Sequence, residues 1–319
     1  MRTCEHEAVG NGVSLRVAQC MSNKMAECLI AGMRRPVRPG LSKLGNFVHG
    51  RPSARRLMAQ VSSIESLVAK GKDPTHAAYI NAQNYLSVFS EIASGLRELR
   101  SFTAVIEKAT ADYAPGWPPI SPVSVSFFTS WALLDLPASE HGETICSCAT
   151  EIGRAFSMSA EFTSVLESMG RSAMGIYQHL GWRDGTVGLR DILDDSVYRC
   201  IVPSGYRGAE GELWYVRVLP PLVDAASHHV AYTSPYVLRG KTEADWLGFF
   251  ERQERNVQPL PVGEDKALRR KAFLKRGPTP NYWNEFVFLG YHSASDSAIE
   301  LCGIPDRPRT LPHASLARW

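Results

Sequence analysis

The sequence predicts an α+β protein: a helical N-terminal region, a central small antiparallel sheet or partly open barrel, and C-terminal helices. Three observations predict it. Apolar residues recur at helical spacing up to about residue 180, the period shortens to two near Asp184, and the helical pattern resumes after Gly240. With 319 residues, 44% of them hydrophobic and 21% charged, the chain can bury a substantial core, which excludes a disordered or collagen-like class. The expected organisation is a basic arm at 1–57, a helical region at 58–183, and a sheet with C-terminal helices at 184–319.

From about residue 58 to 112 the pattern is helical, with Ile92, Leu96, Leu99, Phe102 and Ile106 on one expected face. Four prolines between Tyr113 and Pro122, around Gly116 and Trp117, end that stretch. Helices are expected at Val123 to Leu136, Glu143 to Phe156 and Ala160 to Leu180. The last carries Phe162, Val165, Leu166, Met169, Ala173, Ile176 and Leu180 on one stripe and is expected to stop at Gly181.

Past Asp184, strands are expected at Val187 to Ile192, Ser196 to Val202, Glu212 to Leu219 and His229 to Val237. Alternation places Trp214, Val216 and Val218 on a buried side, and Tyr215 and Arg217 on a partly polar one. The turn-rich connections favour antiparallel pairing, because a parallel crossover needs a dozen or more residues. Thr242 is the expected N-cap of a helix through Trp246, Phe249 and Phe250, with Glu243 and Asp245 in its first turn. Helices at Glu264 to Lys275 and Tyr282 to Tyr291 follow, then an irregular Pro-rich tail from Ile304.

Seven scattered cysteines without CxxC knuckles predict thiols rather than a structural disulfide, and with them a cytoplasmic protein. Apolar runs such as Trp131 to Leu134 fall far short of the roughly 20 residues of a membrane span. Charge is uneven. Residues 1–60 hold ten basic side chains against three acids, and Arg34 to Arg56 has seven basic residues, no acid, and interruptions by proline and glycine that predict a poor helix. A solvated tail explains this run, and so does an arm that lies on phosphates.

Several constellations are weighed as sites. His228 and His229 are neighbours on a strand, so they point to opposite faces and do not share a metal. One of them with His292, Asp306 and His313 would supply metal-ligand types at undetermined geometry. Asp191, Asp194, Asp195 and Glu212 could hold a divalent cation, but Trp214 stands where a restriction-like nuclease has lysine, and Asp-rich turns arise simply because Asp bonds its own backbone. No metal or cofactor is assigned. Cys146 and Cys148 read as inert buried thiols. Arg217, between apolar neighbours, requires an acidic or carbonyl partner, with Asp191 or Glu212 as candidates. The pocket candidates are therefore Arg217, Asp191, Glu212, His228 and His229. The nucleic-acid candidates are Arg34, Arg35, Arg38, Lys266, Arg269, Arg270 and Trp283, the last four lying in a second basic segment at 266–276 and the aromatic pair after it.

The stretch 188–222, through Leu189, Asp191, Leu193, Gly211, Leu213, Arg217, Leu219 and Pro220, resembles a β-rich domain of uncharacterised bacterial proteins, some of which carry an SEC-C zinc motif. The cysteine pattern of that motif is missing, so no zinc role carries over, and the resemblance implies no known activity. The expected function is a non-catalytic binding or regulatory protein with a protein or nucleic-acid partner, motivated by the many Trp and Tyr residues near the sheet. The alternatives are a nucleic-acid-associated protein using 34–56 and 266–276, and a metal-dependent hydrolase.

Overall fold

The computed structural model describes residues 24–35, 38–49, 63–113, 125–222, 228–256 and 265–306. Helix α1 (Met25–Arg34) buries Ala26, Leu29 and Met33, and α2 (Pro39–Val48) buries Leu41, Leu44 and Phe47. The poor helix expected over 34–56 is therefore corrected at its described residues. Pro39 sits in the first turn, where its missing N–H costs no bond. Gly40 is a contact rather than a break, since a Cβ there would lie 2.7 Å from the Leu96 side chain. Expectations resting on Arg51, Arg55 and Arg56 lie outside the described residues.

Helices α3 (Ile64–Ala69) and α4 (Pro74–Ser94) are capped by Ser63 and Asp73, whose side chains accept from Ser66 N–H and His76 N–H. The stripe read over Ile92 to Ile106 does not share one helix. Chain direction changes through Gly95 and a 3₁₀ turn, Arg97–Leu99, before α5 (Arg100–Tyr113). Helix α6 (Val125–Ser130) continues into a π turn, Trp131–Asp135, and a capping box between Thr144 and Ser147 starts α7 (Ile145–Ala155).

The helix expected over Ala160 to Leu180 is corrected. Helix α8 ends at Arg171 (Ala160–Arg171), and β1 (Met174–Arg183) begins three residues later. Ile176 and Leu180 extend the 3/4 spacing only by coincidence, because β1 begins buried on both faces and lacks the alternation that would announce it. Gly181 is no helix cap. It takes a positive φ of 93° where the β1 ladder shifts register between His179 and Trp182. The boundary expected at 183/184 falls inside the hairpin of β1 with β2.

Strands β2 (Thr186–Asp191), β3 (Val197–Ile201) and β4 (Leu213–Leu219) follow the expectation closely, whereas His229 to Val237 divides into β5 (His229–Ala231) and β6 (Tyr236–Arg239). Strand β1 pairs with β2 and β4; β3 pairs with β5, and β5 with β4, so these five close a small barrel. From β4 the sheet continues through β6 to β8 (Ile299–Cys302) and β7 (Tyr291–Ala294), two strands the sequence pattern did not announce. Pairing is antiparallel except for β3 with β5 and β6 with β8, which run parallel.

Tyr177, Val187, Leu189, Cys200, Trp214, Val216 and Ala231 fill the barrel. Met174, Ile176, Leu213, Tyr215 and Leu219 face outward into a second, larger core shared with the helices. The partly polar side expected for Tyr215 and Arg217 is thus as buried as the other. Helices α9 (Glu243–Asn256), α10 (Lys266–Arg276) and α11 (Tyr282–Gly290) close that core through Trp246, Phe249, Phe250, Phe273, Trp283 and Phe286. Thr242 and Asp245 bond each other's backbone N–H at 3.3 and 2.8 Å, the N-cap read from the sequence. Among the described residues no helix is long and apolar enough to cross a membrane.

Candidate functional site

The most buried charge among the described residues, Arg217, stands where three layers meet. The π turn carries Leu136 N–H back to Trp131 C=O at 2.9 Å, and this wide turn points Asp135 into the interior. Asp135 forms an ion pair with Arg217 of β4, and both are buried. The other guanidinium branch donates to Ser172 C=O at 2.9 Å and to Ser172 Oγ at 2.8 Å. Lys275 of α10 brings Nζ within 3.3 Å of Asp135 Oδ1 and donates to Gly170 C=O and Ser172 C=O at 2.6 and 2.5 Å. Burial pushes the Lys275 ammonium below its ordinary range, and the Asp135 carboxylate opposes that push.

Two cations around one carboxylate fix the π turn, the sheet and α10 in register. The partner expected for Arg217 is corrected: it is Asp135, not Asp191 or Glu212. Nearby, the Cys146 thiol donates to Leu166 C=O at 3.2 Å, and burial raises its pKa to about 12, which keeps it protonated and unreactive. Cys146, Cys148 and Cys200 are buried thiols as expected, and Cys302 is free and half-buried. Cys28 corrects the expectation of no disulfide: it is disulfide-bonded, its partner lying outside the described residues. Sequence spacing does not decide which thiols meet, and an odd total still allows a pair.

The five pocket candidates do not converge, since each is held by a different partner. Asp191 accepts from Leu193 N–H at 2.9 Å and meets Lys271 Nζ at 3.2 Å, while Asp194 accepts from Ser196 N–H at 3.0 Å and also pairs with Lys271. The Asp-rich segment is a self-bonded turn. Burial nonetheless lifts the Asp191 carboxyl above the usual carboxylate range. Glu212 accepts from Trp214 Nε1 at 3.0 Å and pairs with Arg239 at 3.0 Å.

His228 stands 3.0 Å from Asp73, whereas His229 lies edge-on to Tyr198 and is pushed down by burial. His292 lies 3.8 Å from Glu300, Asp306 pairs with Arg252 at 2.7 Å, and His313 is outside the described residues. Among the described residues no three of His, Cys, Asp and Glu stand together as a metal-ligand set.

The two basic segments meet opposite fates. On α10, Lys266 pairs with Glu251 at 3.4 Å, Arg270 with Glu254 at 2.7 Å, Lys271 with Asp191 and Asp194, and Lys275 with Asp135. Arg269 is half-buried and engaged within the fold. Trp283 is buried and donates to Phe273 C=O at 2.9 Å, so it offers no ring to a base. Of the aromatic residues near the sheet, Trp214, Tyr215, Tyr236 and Trp246 are likewise core, whereas Trp182 of β1 is exposed.

At the other end, Arg34 and Arg35 close α1, Arg38 opens α2, and all three are exposed. Arg38 forms an ion pair with Glu98, which lies in the 3₁₀ turn between the exposed Arg97 and Arg100. Residues Arg97 and Arg100 are three apart and share a face of that turn. Among the described residues no acid pairs with Arg34, Arg35, Arg97 or Arg100. The Arg38–Glu98 pair thus joins two stretches that between them expose Arg34, Arg35, Arg38, Arg97 and Arg100, and the Arg-x-x-Arg pattern of the second sits inside an apolar helical run that hides it in the sequence.

No family model matches the chain, and neither does any curated protein or solved structure.

Proposed function

We propose that this chain is a non-catalytic binding protein that takes an anionic macromolecule on the arginine face formed by Arg34, Arg35, Arg38, Arg97 and Arg100. The observation that supports this reading is the contrast between its cations. The fold sets the charges of α10 against its own acids, while the end of α1, the start of α2 and the 3₁₀ turn hold their arginines toward solvent with Glu98 as the sole acid in stretches 34–43 and 94–103. Unpaired, exposed cations of one sign raise the local concentration of an anionic partner and speed its association.

Retention on a heparin matrix tests the reading. The full-length chain is expected to elute at distinctly higher salt than the R34A/R35A/R97A/R100A variant, whereas Lys266→Ala elutes with the parent. Identical elution of the quadruple variant and the parent removes the arginine face as the binding surface.

A further inference from the structure

Resting on the binding role just argued, we infer that the partner of the arginine face is the phosphate backbone of a nucleic acid, engaged without regard to base sequence. Three features of the surface select phosphate over other anions. The first is residue type. Five of the six exposed cations in stretches 34–43 and 94–103 are arginine, Lys43 being the sixth, and the flat arginine fork matches two oxygens of one phosphate, a geometry lysine does not offer.

The second is layout. Arg38 reaches Glu98 across the contact between the start of α2 and the 3₁₀ turn, with Gly40 seated against Leu96, so the two arginine stretches abut. Arg35 lies three residues from Arg38, which limits their Cα separation to about 11 Å. The cations therefore form a band rather than a single point, as a chain of regularly spaced phosphates requires.

The third is what accompanies them. The large hydrophobic side chains exposed among the described residues are Ile64, Val68, Leu180, Trp182, Val197 and Leu268, and none belongs to 24–49 or 94–113. A protein partner would want an apolar or aromatic centre inside the charged rim, and a membrane surface would want an apolar wedge beside the cations. Neither is present on this band among the described residues. The described residues of this band also hold no exposed aromatic side chain to stack on a base, Trp182 lying on β1, and Trp283, the ring the sequence suggested for that role, is buried. Backbone contact without base readout is what remains.

The test is fluorescence anisotropy of the full-length chain with labelled duplex DNA of about 20 base pairs, in two unrelated sequences, titrated from 50 to 200 mM salt. Poly-glutamate and vesicles containing phosphatidylserine serve as parallel probes. Four phosphate contacts predict an affinity falling by about 10²-fold across that range, equally for both sequences. The R97A/R100A variant is expected to bind more weakly and to lower the salt slope by about 2, with unchanged circular dichroism.

Duplex binding that R97A/R100A leaves intact overturns the assignment to this face. Binding of poly-glutamate or vesicles but not of DNA overturns the nucleic-acid inference and leaves the anion-binding role standing. Binding of none of the three overturns both.

Discussion

Arg217 shows how far a single residue can be read from its neighbours and where that reading stops. An arginine among valine, leucine and tyrosine on a strand announces a buried counter-charge, yet nothing in the sequence says that the counter-charge stands at Asp135, in a segment that reads as plain apolar helix. Long-range pairing is decided by the fold alone. Asp135→Ala leaves the guanidinium and Lys275 without their carboxylate and should destabilise the protein by about 3–5 kcal/mol in urea unfolding. The D135L/R217M pair, which removes both charges of the ion pair, should unfold at higher urea than D135A; equal midpoints would show that the two side chains are not coupled.

His76 provides a second prediction at this scale. Burial, followed by the nearby Lys72, lowers its pKa to about 4 from 6.5, with Asp73 opposing. Because the folded value lies below the unfolded one, the neutral ring's contribution is complete above pH 6.5 and is lost as pH falls toward 4. At about 1.4 kcal/mol per pH unit this amounts to about 3 kcal/mol. Thermal unfolding of His76→Gln should therefore depend less on pH between 7 and 4 than that of the parent, and parallel curves would refute the assignment.

Elements were legible where a local rule governs them. Thr242 with Asp245 marks the start of α9, and the β-branched and aromatic run from Trp214 to Val218, bounded by the turn residues before Glu212 and by Pro220, marks β4. They were illegible where burial erases the pattern. Strand β1 begins with Met174, Gly175, Ile176 and Tyr177 all buried, so no polar face interrupts the helical stripe inherited from α8. Helix α2 hid behind Pro39 and Gly40, residues that break helices in general but here occupy the first turn and a tight contact.

The same β1 sequence gives a prediction. A Cβ at Gly175 would meet the Tyr177 ring at 2.6 Å, inside a filled barrel where neither strand nor ring has room to yield. Gly175→Val should destabilise by about 1–3 kcal/mol, read from the urea midpoint. The added Y177L substitution, which removes the ring, should recover part of that loss.

At the scale of the molecule, the helices and the outer face of the barrel share one interior, beside the smaller core that fills the barrel itself. The larger core joins Leu29, Phe89 and Phe127 from the helices to Ile176, Tyr215 and Leu219 from the sheet and to Trp246 and Phe286 from the closing helices. Unfolding followed by tryptophan fluorescence and by far-ultraviolet circular dichroism should accordingly coincide in urea; two separated midpoints would show independent halves.

The π turn bears on this unity in another way. Its wide backbone ring accommodates a residue that an ordinary helical turn would not. A chain one residue shorter between Trp131 and Leu134 would close the turn normally and rotate the carboxylate by about 100° about the helix axis. The guanidinium would then lose its carboxylate partner. Polypeptide length at this spot acts as a ruler, and insertions or deletions that surface loops absorb would here misalign everything upstream with everything downstream.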